Sequence, residues 1–166
     1  MRGMIVTRKK ATKALPMHKT YLSFLEKVSL LGVGLDCATA SIDRTALAEA
    51  VRSHEPVELS LDGNFEVLSN IPDNLVVGGV FKLRQLHQKN LAKPLLQIDC
   101  SFSAMFRLGE SVDNETAVRF ANTEAKFVIW PYLRHFIADT SYRMAIAPIL
   151  LPLTTALGPT TKSEKH

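Results

Sequence analysis

From Leu96 to Leu108 the chain alternates almost without interruption: Leu96, Ile98, Cys100, Phe102, Ala104, Phe106 and Leu108 are apolar. Gln97, Asp99, Ser101, Ser103 and Arg107 between them are polar, with Met105 the one exception. Successive strand side chains point to opposite faces, so this run makes one dry face and one wet face. Such a strand belongs to an antiparallel sheet covered on one side. Its register is firmly specified, because a slip of one residue would turn every apolar group toward water. The rest of the chain must supply the cover.

Tyr21, Leu22, Leu25 and Val28 recur at helical spacing and predict a helix over His18 to Val28. Leu31, Val33, Leu35 and Cys37 then alternate as on a half-buried strand. "DRTALAEAVRSH" reads as a short helix capped by Asp43 and ended by Pro56. Val57, Leu59 and Leu61 alternate up to a turn at Asp62-Gly63-Asn64, and Pro72-Asp73-Asn74 punctuates again. Leu75, Val77, Phe81 and Leu83 mark a further strand, in which Gly78-Gly79 predicts a bulge or a close approach. A loop from Gly109 to Asn114 leads into a helical final third. There Phe127, Trp130, Leu133 and Ile137 share a side that Phe136 widens. Pro131 lies inside this helix, at a cost of about 3 kcal/mol unless the helix bends. A bend would let it follow a twisted sheet. "APILLPLTTALGPTT" holds three prolines and cannot be a long helix. The expected class is α+β, with helices packed on one face of an antiparallel sheet.

A chain of 166 residues fits one domain with a substantial core. The net charge is +4, and Arg2, Arg8, Lys9, Lys10, Lys13 and Lys19 all precede the first acid, Glu26. Residues 1–16 read as a basic, solvated tail, 17–157 as a single domain and 158–166 as a second disordered tail. No run approaches the roughly 20 apolar residues that span a bilayer, and no apolar h-region follows the N-terminus. The expectation is a cytoplasmic protein without membrane insertion.

Chemistry is hard to find. Cys37 and Cys100 form no C-x-x-C and sit in strands, so both read as buried thiols. His135 and Asp139 have the spacing of a surface ion pair on one helix face. Ser101 and Ser103 lie on a regular strand rather than a strained turn. Gly32-x-Gly34 and Gly78-Gly79 do not open a helix after a strand, as a phosphate loop would. Asp36, Asp43 and Asp99 have no carboxylate partner at a telling spacing. Basic residues do not interleave with aromatics on any strand, which argues against a nucleic-acid surface. No enzyme activity, cofactor, metal or nucleic-acid partner is expected. What remains is surplus apolar chain. The sheet's dry face and one helical stripe can cover each other, leaving Val57–Leu61 and Ile146–Leu153 to find another partner. That surplus fits a self-association face together with a groove for other chains. A small apolar-ligand or lipid carrier on the same scaffold is the alternative.

Trp130-Pro131-Tyr132-Leu133-Arg134, the helix running on to Arg143, and the proline-bounded apolar segment after it resemble the SecB family of export chaperones. That family carries Phe-Pro-Tyr-Ala-Arg, then Arg-Gly-x-Phe-Pro and an extended segment. Val57–Asp62 looks like its crossover loop, and Asn74–His87 and Lys93–Leu108 like its central strands, so the resemblance spans roughly 28–157. It implies a four-stranded Greek-key sheet and an ATP-independent holdase that binds unfolded polypeptides. It implies a homotetramer built as a dimer of dimers, serving protein export or, as in SecB-like relatives, guarding an antitoxin. By resemblance the client groove is lined by Leu59, Leu61, Leu96, Trp130 and Tyr132. Ile98, Cys100 and Phe102 lie nearer the subunit contacts, and Gln97 and Asp99 face the translocase motor SecA. Three departures stand out. Met144-Ala145 replaces glycine, so the turn after the helix is expected to be built otherwise. The C-terminal helix is shortened. The chain is basic where the best-known members are acidic, which runs against SecA as a partner.

Overall fold

A computed structural model describes residues 17–87 and 90–153. The predicted tails, 1–16 and 158–166, and the end of the predicted domain lie outside the described residues. The order is α1 (Met17–Leu25), β1 (Ser29–Ile42), α2 (Arg44–Arg52), β2 (Val57–Ile71), β3 (Asn74–His87), β4 (Asn90–Arg107), α3 (Asn114–Phe120), a π turn (Ala121–Ala125) and α4 (Lys126–Arg143). The four strands form one antiparallel sheet in the order β1-β4-β3-β2. Strands β2, β3 and β4 follow one another as hairpins, while β1 lies beside β4 and reaches β2 through α2, a Greek-key connection.

The alternating run behaves as its pattern demands. Leu96, Ile98, Cys100, Phe102, Ala104 and Phe106 are all buried. Their cross-strand partners Leu83, Phe81, Val77 and Leu75 extend the dry face across β3. Ile129, Trp130, Leu133 and Ile137 of α4 and Phe120 of α3 cover it, the Phe106 and Phe120 rings meeting edge-on at 4.9 Å. Each fully buried side chain of this size contributes about 1.5–3 kcal/mol. Helix α1 docks at one end, Phe24 edge-on to Phe120 at 5.6 Å. There the Arg119 guanidinium lies 3.9 Å over the Tyr21 ring, whose hydroxyl meets the Glu124 carboxylate.

Several local expectations yield to tertiary context. The turn at Asp62-Gly63-Asn64 does not form, since β2 pairs straight through it, Asp62 with Lys82, Gly63 with Phe81 and Asn64 with Val80. A continuous ladder on β3 outweighs local turn preference. Val57–Asp62 is therefore strand, not loop. Gly78-Gly79 is a close approach rather than a bulge. A Cβ on Gly78 would meet Leu68 Cδ1 at 2.9 Å, and one on Gly79 would meet the Phe81 ring at 2.9 Å. Strand β1 carries bulges between Leu30 and Gly32 and between Leu35 and Cys37. Each bulge inverts the alternation, so Cys37 stands opposite Ser101 and is exposed, contrary to the buried thiol expected. Phe127 is likewise 56% exposed, because it lies about 110° around the helix from the centre of the buried stripe. Asp139 pairs with Arg143 at 2.7 Å, not with His135. Helix α4 runs through Pro131, with the π turn shortly upstream. Both features interrupt the regular ladder, and helices bend at such places.

The turn after α4 needs no new design. Ala145 takes φ 57°, its N–H bonds to the Tyr142 carbonyl at 2.9 Å, and Ile146 N–H reaches the Ser141 carbonyl at 3.3 Å. This is the Schellman arrangement with alanine in the left-handed position usually held by glycine.

Candidate functional site

Helix α2 starts because the Asp43 carboxylate accepts the Ala46 N–H at 3.0 Å. Lys93, 2.7 Å away, and that amide hold the Asp43 carboxyl below the usual range. The Asp43 N–H donates to the Leu95 carbonyl at 2.8 Å, and a Glu55–His87 pair ties down the far end. Ala50 faces inward. The helical period then turns Arg44, Leu47, Ala48, Val51 and Arg52 to one other side.

Facing them is the segment after α4, residues 144–153, which has no regular backbone ladder. Side chains fasten it instead. Arg44 Nη2 donates to the Met144 carbonyl (3.0 Å) and Arg134 Nε to that of Leu151 (2.9 Å). Trp130 Nε1 donates to the Pro152 carbonyl (2.9 Å). Ser141 Oγ accepts the Ile149 N–H at 2.9 Å. Leu151 is buried and anchors the segment, while Leu150 is 78% exposed.

Between α2, this segment and the ends of β2 and β3 run two adjoining hollows of about 420 and 580 Å³, sharing Leu47, Val51 and Ile146. The first adds Ile42, Arg44 and Arg52, the second Leu59, Gln85, Pro148 and Leu150. The lining stays open to water, with Val51 at 68% and Leu59 at 48% exposure. Among the described residues, strand β2 is hydrogen-bonded to β3 alone, so its outer edge offers backbone donors and acceptors to an incoming strand. A further apolar hollow of about 530 Å³ lies between β1 and α4, with Val33, Leu35, Phe102 and Tyr132 among its walls.

The five residues expected to line one groove are therefore not brought together. Leu59 borders the α2 groove, and Leu61 follows on the same face of β2, half-buried. Tyr132 opens on the β1–α4 hollow. Leu96 and Trp130 are sealed at 0% and 2% exposure; the indole acts from below, by holding the segment that forms the wall. Ile98, Cys100 and Phe102 are likewise core residues at 0%, 4% and 4% exposure, leaving little surface for another subunit. Burial, with the Asp99 charge adding, pushes the Cys100 thiol up to about 12. Gln97 and Asp99 bond to each other on the wet face, and the other Asp99 oxygen is buried without a hydrogen-bond partner among the described residues.

Leu47 and Val51 were missed, although their i, i+4 spacing in "DRTALAEAVRSH" was readable. The two segments flagged as apolar surplus, Val57–Leu61 and Ile146–Leu153, contribute facing parts of one groove. Among the described residues no group of three or more His, Cys, Asp or Glu is placed to hold a metal ion, and no helix is long and apolar enough to cross a membrane.

No family model and no curated protein matches the sequence. Among solved structures, the fold is similar to that of Rv1957, a SecB-like chaperone of Mycobacterium tuberculosis in complex with a ChAD peptide from the Rv1956 HigA1 antitoxin. The TM-score is 0.68 at 19% identity, over 84% of this chain and 100% of that one. A protein of unknown function from Streptococcus agalactiae matches with a TM-score of 0.43 at 12% identity, over 76% of this chain and 97% of that one. The chain has the SecB-like α+β fold.

Proposed function

We propose that this protein is an ATP-independent holdase that binds non-native polypeptides, of the export or antitoxin kind, in the groove between α2, β2 and the segment after α4. One observation carries the reading: an apolar groove with open walls lies beside a strand edge that no other strand covers among the described residues. An extended peptide satisfies both, its side chains in the hollows and its backbone on β2. A small-ligand carrier would enclose most of its cargo, whereas Val51 and Leu150 are more than two-thirds exposed. The solved complex of the SecB-like neighbour with an antitoxin peptide supports a polypeptide client. Three or four anchors at about 1.5–3 kcal/mol each, less the ordering of the client, correspond to roughly micromolar affinity.

Assembly is the second part of the reading. Strand β1 is the other edge of the sheet, and Leu30, Leu31 and Leu35 on it are 45–48% exposed. Phe127 and Tyr142 on α4 are exposed as well. These surfaces favour a homo-oligomer, a dimer of dimers, joined through β1 and α4. SecA docking on the wet face is not part of the reading, because Lys82 and Arg84 stand cross-strand from Asp99 and Gln97.

The test is suppression of aggregation of a chemically unfolded protein at stoichiometric ratios without nucleotide. Leu59→Ser combined with Val51→Ser should weaken client binding about tenfold or more while native mass stays that of the wild-type oligomer. Unchanged binding would remove the groove assignment, and a stable monomer would remove the assembly.

A further inference from the structure

The charged groups among the residues lining the α2 groove are Arg44 and Arg52. Glu49 lines a different hollow, on another side of α2. Glu58 alternates onto the face of β2 opposite Leu59. Among the described residues, Arg52 Nε bonds only to the Ala48 carbonyl of its own helix, and Arg44 uses Nη2 on the Met144 carbonyl. Neither arginine forms an ion pair among the described residues. Both therefore keep guanidinium donors for a ligand. The apolar Leu47 and Val51 lie between them on the same face of α2. Their positions along the helix put the two guanidinium stems about 12 Å apart. That is the span of about three to four residues of extended chain.

We infer that the groove selects its clients by charge as well as apolarity, taking an extended apolar segment flanked by Asp or Glu side chains four residues apart, which share one face of the extended chain. This rests on the groove being the client site. Carboxylates meet Arg44 and Arg52 along the first hollow, where the apolar side chain between them packs on Leu47 and Val51, and apolar residues further along reach Leu59 in the second. A lysine in the same place meets an unpaired positive charge and is disfavoured.

The experiment uses three peptides of about ten residues sharing one apolar core, flanked by Asp, Asn or Lys, titrated into the full chain by calorimetry at low and high salt. The Asp peptide should bind about fivefold tighter than the Asn peptide and about twentyfold tighter than the Lys peptide. The preference should shrink in 0.5 M salt. Arg52→Glu should erase or reverse the ranking, and Arg52→Lys should restore it. Circular dichroism of each variant shows that the fold is kept, and Arg52, exposed and bonded only within its helix, is a mild site for substitution. Equal binding of all three peptides, or tighter binding of the Lys peptide, overturns the charge selection while leaving the holdase reading in place. Failure of all three to bind, the neutral one included, overturns the client groove itself and the inference with it.

Discussion

Replacing Ser141 by Ala tests how the groove wall is held. Ser141 is fully buried on α4. Its hydroxyl donates to the Ile137 carbonyl at 2.8 Å and accepts the Ile149 N–H at 2.9 Å. The first bond is redundant, because that carbonyl also belongs to the helix. The second links two elements, and alanine leaves the Ile149 N–H without a partner. A buried, orphaned donor costs about 1–3 kcal/mol. Ile149 is only half-buried, so the segment can lift its amide into water and the cost falls toward the lower end, about 1–1.5 kcal/mol. At fixed protein concentration this lowers Tm by about 2–6 °C. Hydrogen exchange should show the Ile149 amide losing protection while β3 and β4 keep theirs. Client affinity should fall several-fold, since the lifted wall carries Ile146, Pro148 and Leu150 away from Leu47 and Val51. A stability change within about 0.5 kcal/mol, the range of an ordinary surface substitution, together with unchanged protection at Ile149 would refute this tether.

Ala145→Gly should stabilise the protein. A left-handed alanine costs about 1–2 kcal/mol, the glycine's extra unfolded freedom takes back about 0.4–1 kcal/mol, and urea unfolding should report a net gain of about 0.5–1 kcal/mol; a loss would contradict the Schellman geometry. The two thiols should separate under a thiol reagent at pH 8, Cys37 reacting at once and Cys100 only on unfolding. Burial holds the native Cys100 proton to about pH 12 while the unfolded thiol releases it near 9.0. The unfolded state thus binds fewer protons in that window, so stability should decline as pH rises through it. Cys100→Ala should show a shallower alkaline decline, and an identical slope would show that the thiol is not buried as described.

Legibility followed the range of the interactions. Strands β3 and β4 and the α2 cap were readable because period-two burial and a capping carboxylate are local rules. The π turn, the Cys37 inversion and the uninterrupted β2 were not. Bulges and ladder continuity depend on the partner strand: that of β1 is β4, far away in sequence, and that of β2 is β3, whose pairing overrides a turn signal that local rules favour. The candidate site was legible as surplus and illegible as geometry. Val57–Leu61 and Ile146–Leu153 were visibly unspent, but nothing local says that they face each other across α2. Trp130 shows the same limit: its neighbours in sequence marked it as a groove residue, while its indole N–H is turned inward to the Pro152 carbonyl.

The amino-acid sequence by itself determined the class of fold, because alternation along β4 demands a one-sided sheet and the apolar stripe of α4 is its complement. It also determined that apolar chain would be left over. Which side chains stay in water, and that Leu59 joins Val51 and Leu150 while Leu96 and Trp130 are sealed, only the tertiary structure decided. Burial is a property of packed surfaces brought together from distant parts of the chain, and no residue carries it alone.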